Sequence, residues 1–61
     1  MKLREKAFEL VSNAEVLALE VTNAEAGNMS ANRRARKLSV IIREKFKELR
    51  KELLKLEKGE L

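Results

Sequence analysis

The stretch AEAGNMS, residues 24–30, decides how this chain folds, because it separates two long amphipathic segments. Gly27 stands where a helix commonly ends on a residue with left-handed backbone conformation. Asn28 or Ser30 can then cap the amino end of a second helix. Since so short a connection turns the chain back on itself, the sequence predicts an all-α fold, an antiparallel two-helix hairpin.

The turn is predicted at residues 27–28, and the residues before it predict a first helix over about residues 3–26. Leucines alternate with mostly small residues at heptad spacing, and small residues let a neighbouring helix approach closely. This seam consists of Leu3, Ala7, Leu10, Ala14, Leu17, Val21 and Ala24. Val16 and Leu19 lie away from the seam, so we expect the middle of the helix to be buried on more than one side. The alternative is a surface with single exposed apolar residues, which are ordinary.

The residues after the turn predict a second helix over about residues 29–58. Its length is about 45 Å at 1.5 Å per residue. Its apolar stripe consists of Ala31, Ala35, Leu38, Ile42, Phe46, Leu49, Leu53 and Leu56. The steps between these residues average close to 3.6, and one extra four-residue step relative to a heptad indicates weak supercoiling.

The composition favours self-association of this single 61-residue domain. A core of this size rarely supplies more than a few kcal/mol, so such chains usually need a disulfide, a metal or a partner. The chain has no cysteine and no histidine, so we expect no disulfide and no metal site. We therefore predict a homo-oligomer, a dimer or a higher helical assembly such as a four-helix bundle. Its predicted core is Leu10, Ala14, Leu17, Val21, Leu38, Ile42, Phe46, Leu49 and Leu53.

Catalysis and membrane insertion are both disfavoured. Histidine, cysteine, tyrosine, tryptophan and aspartate are absent, so the usual nucleophile–base pairs are missing. The three serines fit capping or surface positions better than a catalytic site. Glu15 and Glu20 interrupt the longest apolar run, and no signal peptide is recognisable. We expect a cytoplasmic protein that is not an enzyme and has no cofactor and no small-molecule substrate.

The charge is unevenly distributed along the chain. Residues 1–25 have a net charge of −2, residues 26–43 have +5 with no acid, and residues 44–61 have +1. Cations near a helix amino end oppose the helix dipole, and a bound anion such as phosphate relieves that conflict. The predicted phosphate-binding residues are Arg33, Arg34, Arg36, Lys37, Arg43 and Lys47. The alternative at the helix start is a solvated basic turn. For the last turns of the helix, the alternative is an ordinary exposed face with intrahelical pairs such as Glu48–Lys51 and Glu52–Lys55.

The helical periodicity also predicts a basic line opposite the apolar stripe of the second helix. It consists of Arg33, Arg36, Arg43, Lys47, Arg50, Lys51 and Lys58. The only aromatic rings, Phe8 and Phe46, belong to apolar faces, whereas single-strand binders stack bases on exposed rings. Recognition of duplex DNA through its phosphates therefore fits better.

The segment of residues 24–37 resembles the chlamydial linker-histone-like family of bacterial histone-like proteins. The shared spacing is A-E-x-G-N-x-x-A-x-x-R-x-R-K, matched here by Ala24, Glu25, Gly27, Asn28, Ala31, Arg34, Arg36 and Lys37. The resemblance implies a DNA-associated protein without base specificity, with Arg34, Arg36 and Lys37 as phosphate contacts. Arg33 is added from its position alone. Longer members have a basic tail rich in lysine, alanine and proline, and because the sequence stops at Leu61 we expect a short form without that tail.

Two functions follow as hypotheses. The leading one is a small nucleoid-associated, histone-like protein that binds duplex DNA without sequence specificity. The alternative is a helical oligomerisation or protein-interaction module with no nucleic-acid role. An amphipathic membrane-surface helix is a weaker interpretation, because tryptophan is absent and glutamates flank the basic residues.

Overall fold

The computed structural model describes residues 2–60 and contains two helices, α1 (Lys2–Glu25) and α2 (Met29–Glu57). They pack side by side and antiparallel, which confirms the all-α hairpin expected from the sequence. The hairpin measures 48 × 16 × 11 Å between Cα atoms. The predicted single domain also included Met1 and Leu61, which lie outside the described residues.

Gly27 ends α1 in the left-handed conformation that the sequence predicted, with a φ of 101°. Its N–H donates to the Ala24 carbonyl at 3.0 Å, and the Asn28 N–H donates to the Asn23 carbonyl at 3.1 Å. These two bonds form a Schellman motif, which satisfies carbonyls left open at the end of a helix. A Cβ at Gly27 would meet nothing within 4 Å, so the backbone angle rather than space requires glycine.

Asn28, and not Ser30, caps α2. Its backbone is extended, with φ −80° and ψ 104°, and its side-chain oxygen accepts a hydrogen bond from the Ala31 N–H at 3.0 Å. Ser30 lies inside the first turn of α2. Asn28 therefore both completes the end of α1 and begins α2, so the reversal needs only residues 26–28.

We expect Gly27→Ala to lower the free energy of unfolding by roughly 1–2 kcal/mol, because a Cβ disfavours the left-handed conformation by about that amount. Urea titration followed by circular dichroism measures this change. Gly59→Ala is the matched control, because Gly59 has the same kind of cap, with φ 76°, at the free end of α2. Fraying there leaves the helix contact intact. Equal stabilities of the two variants would contradict the role given to the turn.

The contact between the helices uses a different seam of α1 from the predicted one. Leu3 and Leu10 are buried and Leu17 is half-buried, as expected. The positions between the leucines are Lys6, Asn13 and Glu20, which are half-buried and lie seven residues apart. The small residues predicted for those positions are exposed instead: Ala7, Ala14 and Val21. They lie one position further round the helix, beside the contact rather than in it.

The predicted apolar stripe of α2 also divides. Its amino-terminal half follows α1, with Ala31, Ala35 and Ile42 buried. The four-residue step from Ile42 to Phe46 then carries the stripe off the contact, so that Phe46 is 55% exposed. Half-buried Lys45 and Glu52 continue the contact alongside half-buried Leu49. The contacting residues of α2 thus keep a heptad spacing, and the extra step marks a second apolar row.

The hairpin buries little of its apolar surface. Among residues 2–60, twelve large apolar side chains are at least 39% exposed, and only five residues form the buried core. The amide nitrogen of Asn13 is also buried without a hydrogen-bond partner among the described residues. An unsatisfied buried donor is destabilising, so even the contact that does form is weakened at its centre.

Replacing Asn13 by leucine should therefore stabilise the hairpin, by about 1 kcal/mol, because it removes the unsatisfied donor and adds apolar contact. Asn23→Leu is the control, because Asn23 is exposed on the same helix and gains the same helix propensity. Chemical denaturation of both variants isolates the difference. A loss of stability in Asn13→Leu alone would show that the amide has a partner in solution.

Candidate nucleic-acid interface

The basic side chains of α2 lie along its outer surface. Because Ala35 and Ile42 face α1, the opposite side of α2 points to solvent. We call this surface the basic ridge, and all of its residues are exposed: Arg33, Arg36, Lys37, Arg43, Lys47, Arg50 and Lys51. The ridge runs for about 27 Å at 1.5 Å per residue. Lys58, the last residue of the predicted line, is the C-cap of α2.

The amino-terminal part of the ridge carries uncompensated positive charge. Arg33, Arg36 and Lys37 line a shallow depression together with Val40. None of these three cations forms an ion pair within residues 2–60, and Arg33 donates only to the Ser30 hydroxyl, at 3.4 Å. The first turn of α2 contains no acidic residue. We call these three cations the open basic patch.

The other predicted phosphate contacts have carboxylate partners. Arg34 turns toward α1 and forms an ion pair with Glu20, so the structure separates it from Arg33 and Arg36. Arg43 and Lys47 share Glu44, at 3.5 and 3.8 Å. Their charges are therefore partly neutralised, although all three side chains are more than half exposed.

A row of ion pairs across the two helices was missed by the sequence reasoning. The Lys6 ammonium contacts Glu52 at 2.5 Å and Glu48 at 3.4 Å. The Lys45 ammonium contacts Glu9 at 2.5 Å. Together with Arg34–Glu20, these pairs define the ion-paired face of the hairpin. Glu48 and Glu52 thus pair with Lys6 of α1, and not with Lys51 and Lys55 as the alternative interpretation of an ordinary exposed face had them.

One signal in the sequence could have revealed these pairs. Lys6, Asn13 and Glu20 repeat every seven residues, in phase with Leu3, Leu10 and Leu17. A polar row in phase with a leucine row indicates a partner of opposite charge on the facing helix. Lys45 and Glu52 have the same spacing on α2.

The ion pairs shift the titration of their members. The hydrogen bond from Lys45 lowers the pKa of Glu9, and the hydrogen bond to Glu52 raises the pKa of Lys6. Glu9 therefore stabilises the fold above its ordinary pKa, and this stabilisation is lost as the pH falls through the lowered value. Lys6 stabilises the fold below its ordinary pKa, and that stabilisation is lost as the pH rises through the raised value.

We expect Glu9→Gln to flatten the acid side of the stability profile, because it removes a carboxylate whose pKa is lowered in the folded state. Thermal unfolding followed by circular dichroism between pH 2 and pH 7 tests this. Glu15→Gln is the charge-matched control, since Glu15 is exposed and forms no ion pair with the described residues. Identical profiles for the two variants would show that the Glu9–Lys45 pair contributes nothing in solution.

Neither helix has an apolar run of the length required to cross a membrane. Residues 2–60 also contain no group of three or more potential side-chain ligands for a metal ion.

These features define a class: a small basic helical hairpin with cations on the outer surface of one helix. Residues 4–59 match the family described as histone H1-like protein Hc1, which is chlamydial. The chain belongs to this family, so the resemblance seen in residues 24–37 is confirmed and extends over both helices. Histone H1-like proteins are DNA-binding architectural proteins. No curated protein and no solved structure matches the chain.

Proposed function

We propose that this protein binds duplex DNA without sequence preference, through phosphate contacts made by the basic ridge, as a non-enzymatic architectural component of the nucleoid. The observation that carries the proposal is the open basic patch. Arg33, Arg36 and Lys37 are exposed, adjacent and free of ion pairs with other described residues. A guanidinium group without a carboxylate partner can donate two parallel hydrogen bonds to two oxygens of one phosphate.

The charge separation between the helices supports this orientation toward DNA. α1 carries three cations and five glutamates, a net charge of −2, whereas α2 carries ten cations and four glutamates, a net charge of +6. The hairpin is therefore electrically polar across its width. An approaching polyanion is drawn to the α2 side and repelled from the α1 side.

The position of Phe46 requires a distinction between double and single strands. Its ring is exposed and lies in a groove with Arg43, Lys47 and Arg50, an arrangement that also suits stacking of an unpaired base. The same ring belongs to the core predicted for the oligomer. If self-association covers Phe46, duplex is preferred over single strand, so both forms belong in the binding experiment.

The proposal includes self-association. Of the predicted oligomer core, Leu10 and Ile42 are buried within the hairpin, and Leu17, Leu38 and Leu49 are half-buried. The other members remain exposed: Ala14, Val21, Phe46 and Leu53. Exposure of so much apolar surface on a small protein marks an interaction site. Sedimentation velocity at micromolar concentration measures the assembly directly.

The test is binding to a random 30-base-pair duplex and to a single strand of equal length across a salt series. Each subunit that neutralises three or four phosphates of one duplex should contribute about −3 to the slope of log affinity against log salt, at about 0.9 per phosphate, so a dimer with both subunits on one duplex should give a slope near −6. The double variant Arg36→Gln, Lys37→Gln should weaken binding and reduce the slope by about 1.8 per subunit.

The control is Lys2→Gln with Arg4→Gln, which removes the same charge from the exposed surface of α1. We expect a much smaller loss of affinity in this control, and an intermediate loss in Arg34→Gln, because Arg34 already has a carboxylate partner. Binding that is absent or independent of salt would refute the DNA-binding proposal and favour the interaction-module alternative. Tighter binding of the single strand would refute the duplex preference.

A further inference from the structure

The two broad faces of the hairpin differ in charge. The ion-paired face includes a groove where Val16 and Ile41 lie beside Glu20 and Arg34. On the opposite side, Val21 and Ser39 line another groove between the helices. We call this second side the apolar face. It is formed by two rows of exposed residues spaced by seven: Ala7, Ala14 and Val21 on α1, and Ser39, Phe46 and Leu53 on α2.

We infer that the apolar face binds a second copy of the hairpin about a two-fold axis parallel to the helices, and that the resulting dimer bridges two DNA duplexes. The size of the face suits a second copy. The broad side of the whole hairpin measures 48 by 16 Å between Cα atoms, so a contact along its full length would approach the roughly 800 Å² that each partner buries in a stable complex. The seven-residue rows on both helices also provide the heptad seam that a four-helix bundle requires.

A two-fold axis can join two such faces in two ways. If the axis lies across the helices, α2 packs on α2 of the second copy, and the turns lie at opposite ends. If the axis runs parallel to the helices, α2 packs on α1 of the second copy, and both turns lie at one end. These arrangements place different charges and different side-chain sizes against each other.

The charges favour the parallel axis. Arg36, Arg43 and Arg50 are also spaced by seven and border the apolar face along α2. With the axis across the helices, this row would meet the same row of the second copy. Two helices of net charge +6 would then lie together. With the parallel axis, each α2 instead meets an α1 of net charge −2, so the repulsion between two α2 helices is avoided.

The side-chain sizes favour the same choice. Rotation about an axis parallel to the helices does not move a residue along that axis. The pairs Lys6–Glu48 and Glu9–Lys45 show which residues of α1 and α2 lie level with each other along it. Ala7 therefore lies level with Phe46 of the second copy, so the smallest side chain faces the largest. With the axis across the helices, alanines would face alanines, and large residues of α2 would face each other, leaving voids on one side and crowding on the other.

This arrangement determines where the DNA lies, and this step rests on the proposed DNA-binding function. The basic ridge points away from α1 in each hairpin. When α2 and its copy are diagonal in the bundle, the two ridges point in opposite directions. One dimer then contacts two duplexes on opposite sides. The other arrangement would set both ridges on one side, against a single duplex.

The first experiment measures the arrangement without DNA. The chain has no cysteine, so Ala26→Cys places a single spin label at the exposed turn. Pulsed electron resonance should give a distance of about 20–30 Å, the width of a four-helix bundle with its labels. A distance near the full 48 Å length of the hairpin would establish the other arrangement and overturn the inference. A monomer in sedimentation would also overturn it.

The second experiment measures bridging. Duplex attached to beads should capture a second, fluorescent duplex only when the protein is present. Ala14→Glu puts a charge on the apolar face and should reduce capture to background while keeping binding to one duplex. Ser12→Glu is the control, because it makes the same charge change at an exposed residue of α1 outside the defined rows and should bridge normally. Circular dichroism verifies that both variants remain helical.

The results distinguish this inference from the proposed function. If no duplex binds in the salt series, the proposed function fails, and the label distance still tests the dimer. If duplex binds but is never bridged, or if Ala14→Glu bridges as well as Ser12→Glu, the DNA-binding function stands and the bridging dimer is refuted.

Discussion

The reversal at Gly27 and Asn28 is the constraint on which the rest of the structure depends. The positive φ of Gly27 ends α1, and the Asn28 side chain opens α2 after only one further residue. So short a connection forces α2 to pack beside α1, and it restricts how far α2 can shift along the axis of α1. This alignment of the two helices determines which charged residues form pairs and which side chains stay exposed.

Each helix presents three rows of residues, and each row has its own role. The central leucine row of α1 packs on α2, the row of Lys6, Asn13 and Glu20 faces the charged flank, and the row that begins at Ala7 faces solvent. Because a helix turns 100° per residue, residues seven apart remain on one side of a gently supercoiled pair. The chain therefore separates packing, pairing and exposed apolar surface within only 24 residues of α1.

The fold was predictable because its signals are local. Gly27 with Asn28, and the heptad spacing on both sides, specify helix, turn and helix without long-range information. The composition of the helix contact was not predictable in the same way. A rule that places apolar residues inside assigns Ala7 and Ala14 to the helix contact. Lys6 lies in the contact instead, because its ammonium pairs with Glu48 and Glu52 on the facing helix, more than forty residues away in the sequence. Arg34, a predicted phosphate contact, also pairs with a residue of the facing helix, Glu20, and the local sequence around Arg34 does not indicate this pair.

The order of charges along the ion-paired face disfavours hairpins in which α2 is shifted along α1. Lys6 alone would tolerate a shift of α2 by one turn, since Glu48 and Glu52 lie one turn apart and both lie within 3.4 Å of its ammonium. Glu9 and Glu20 would not. Shifted by four residues toward the carboxyl end of α2, they would face Leu49 and Leu38, and in the other direction Ile41 and Ser30. Three of these four residues are apolar, and a carboxylate that faces an apolar side chain is destabilising, so both shifts disfavour the misaligned hairpin.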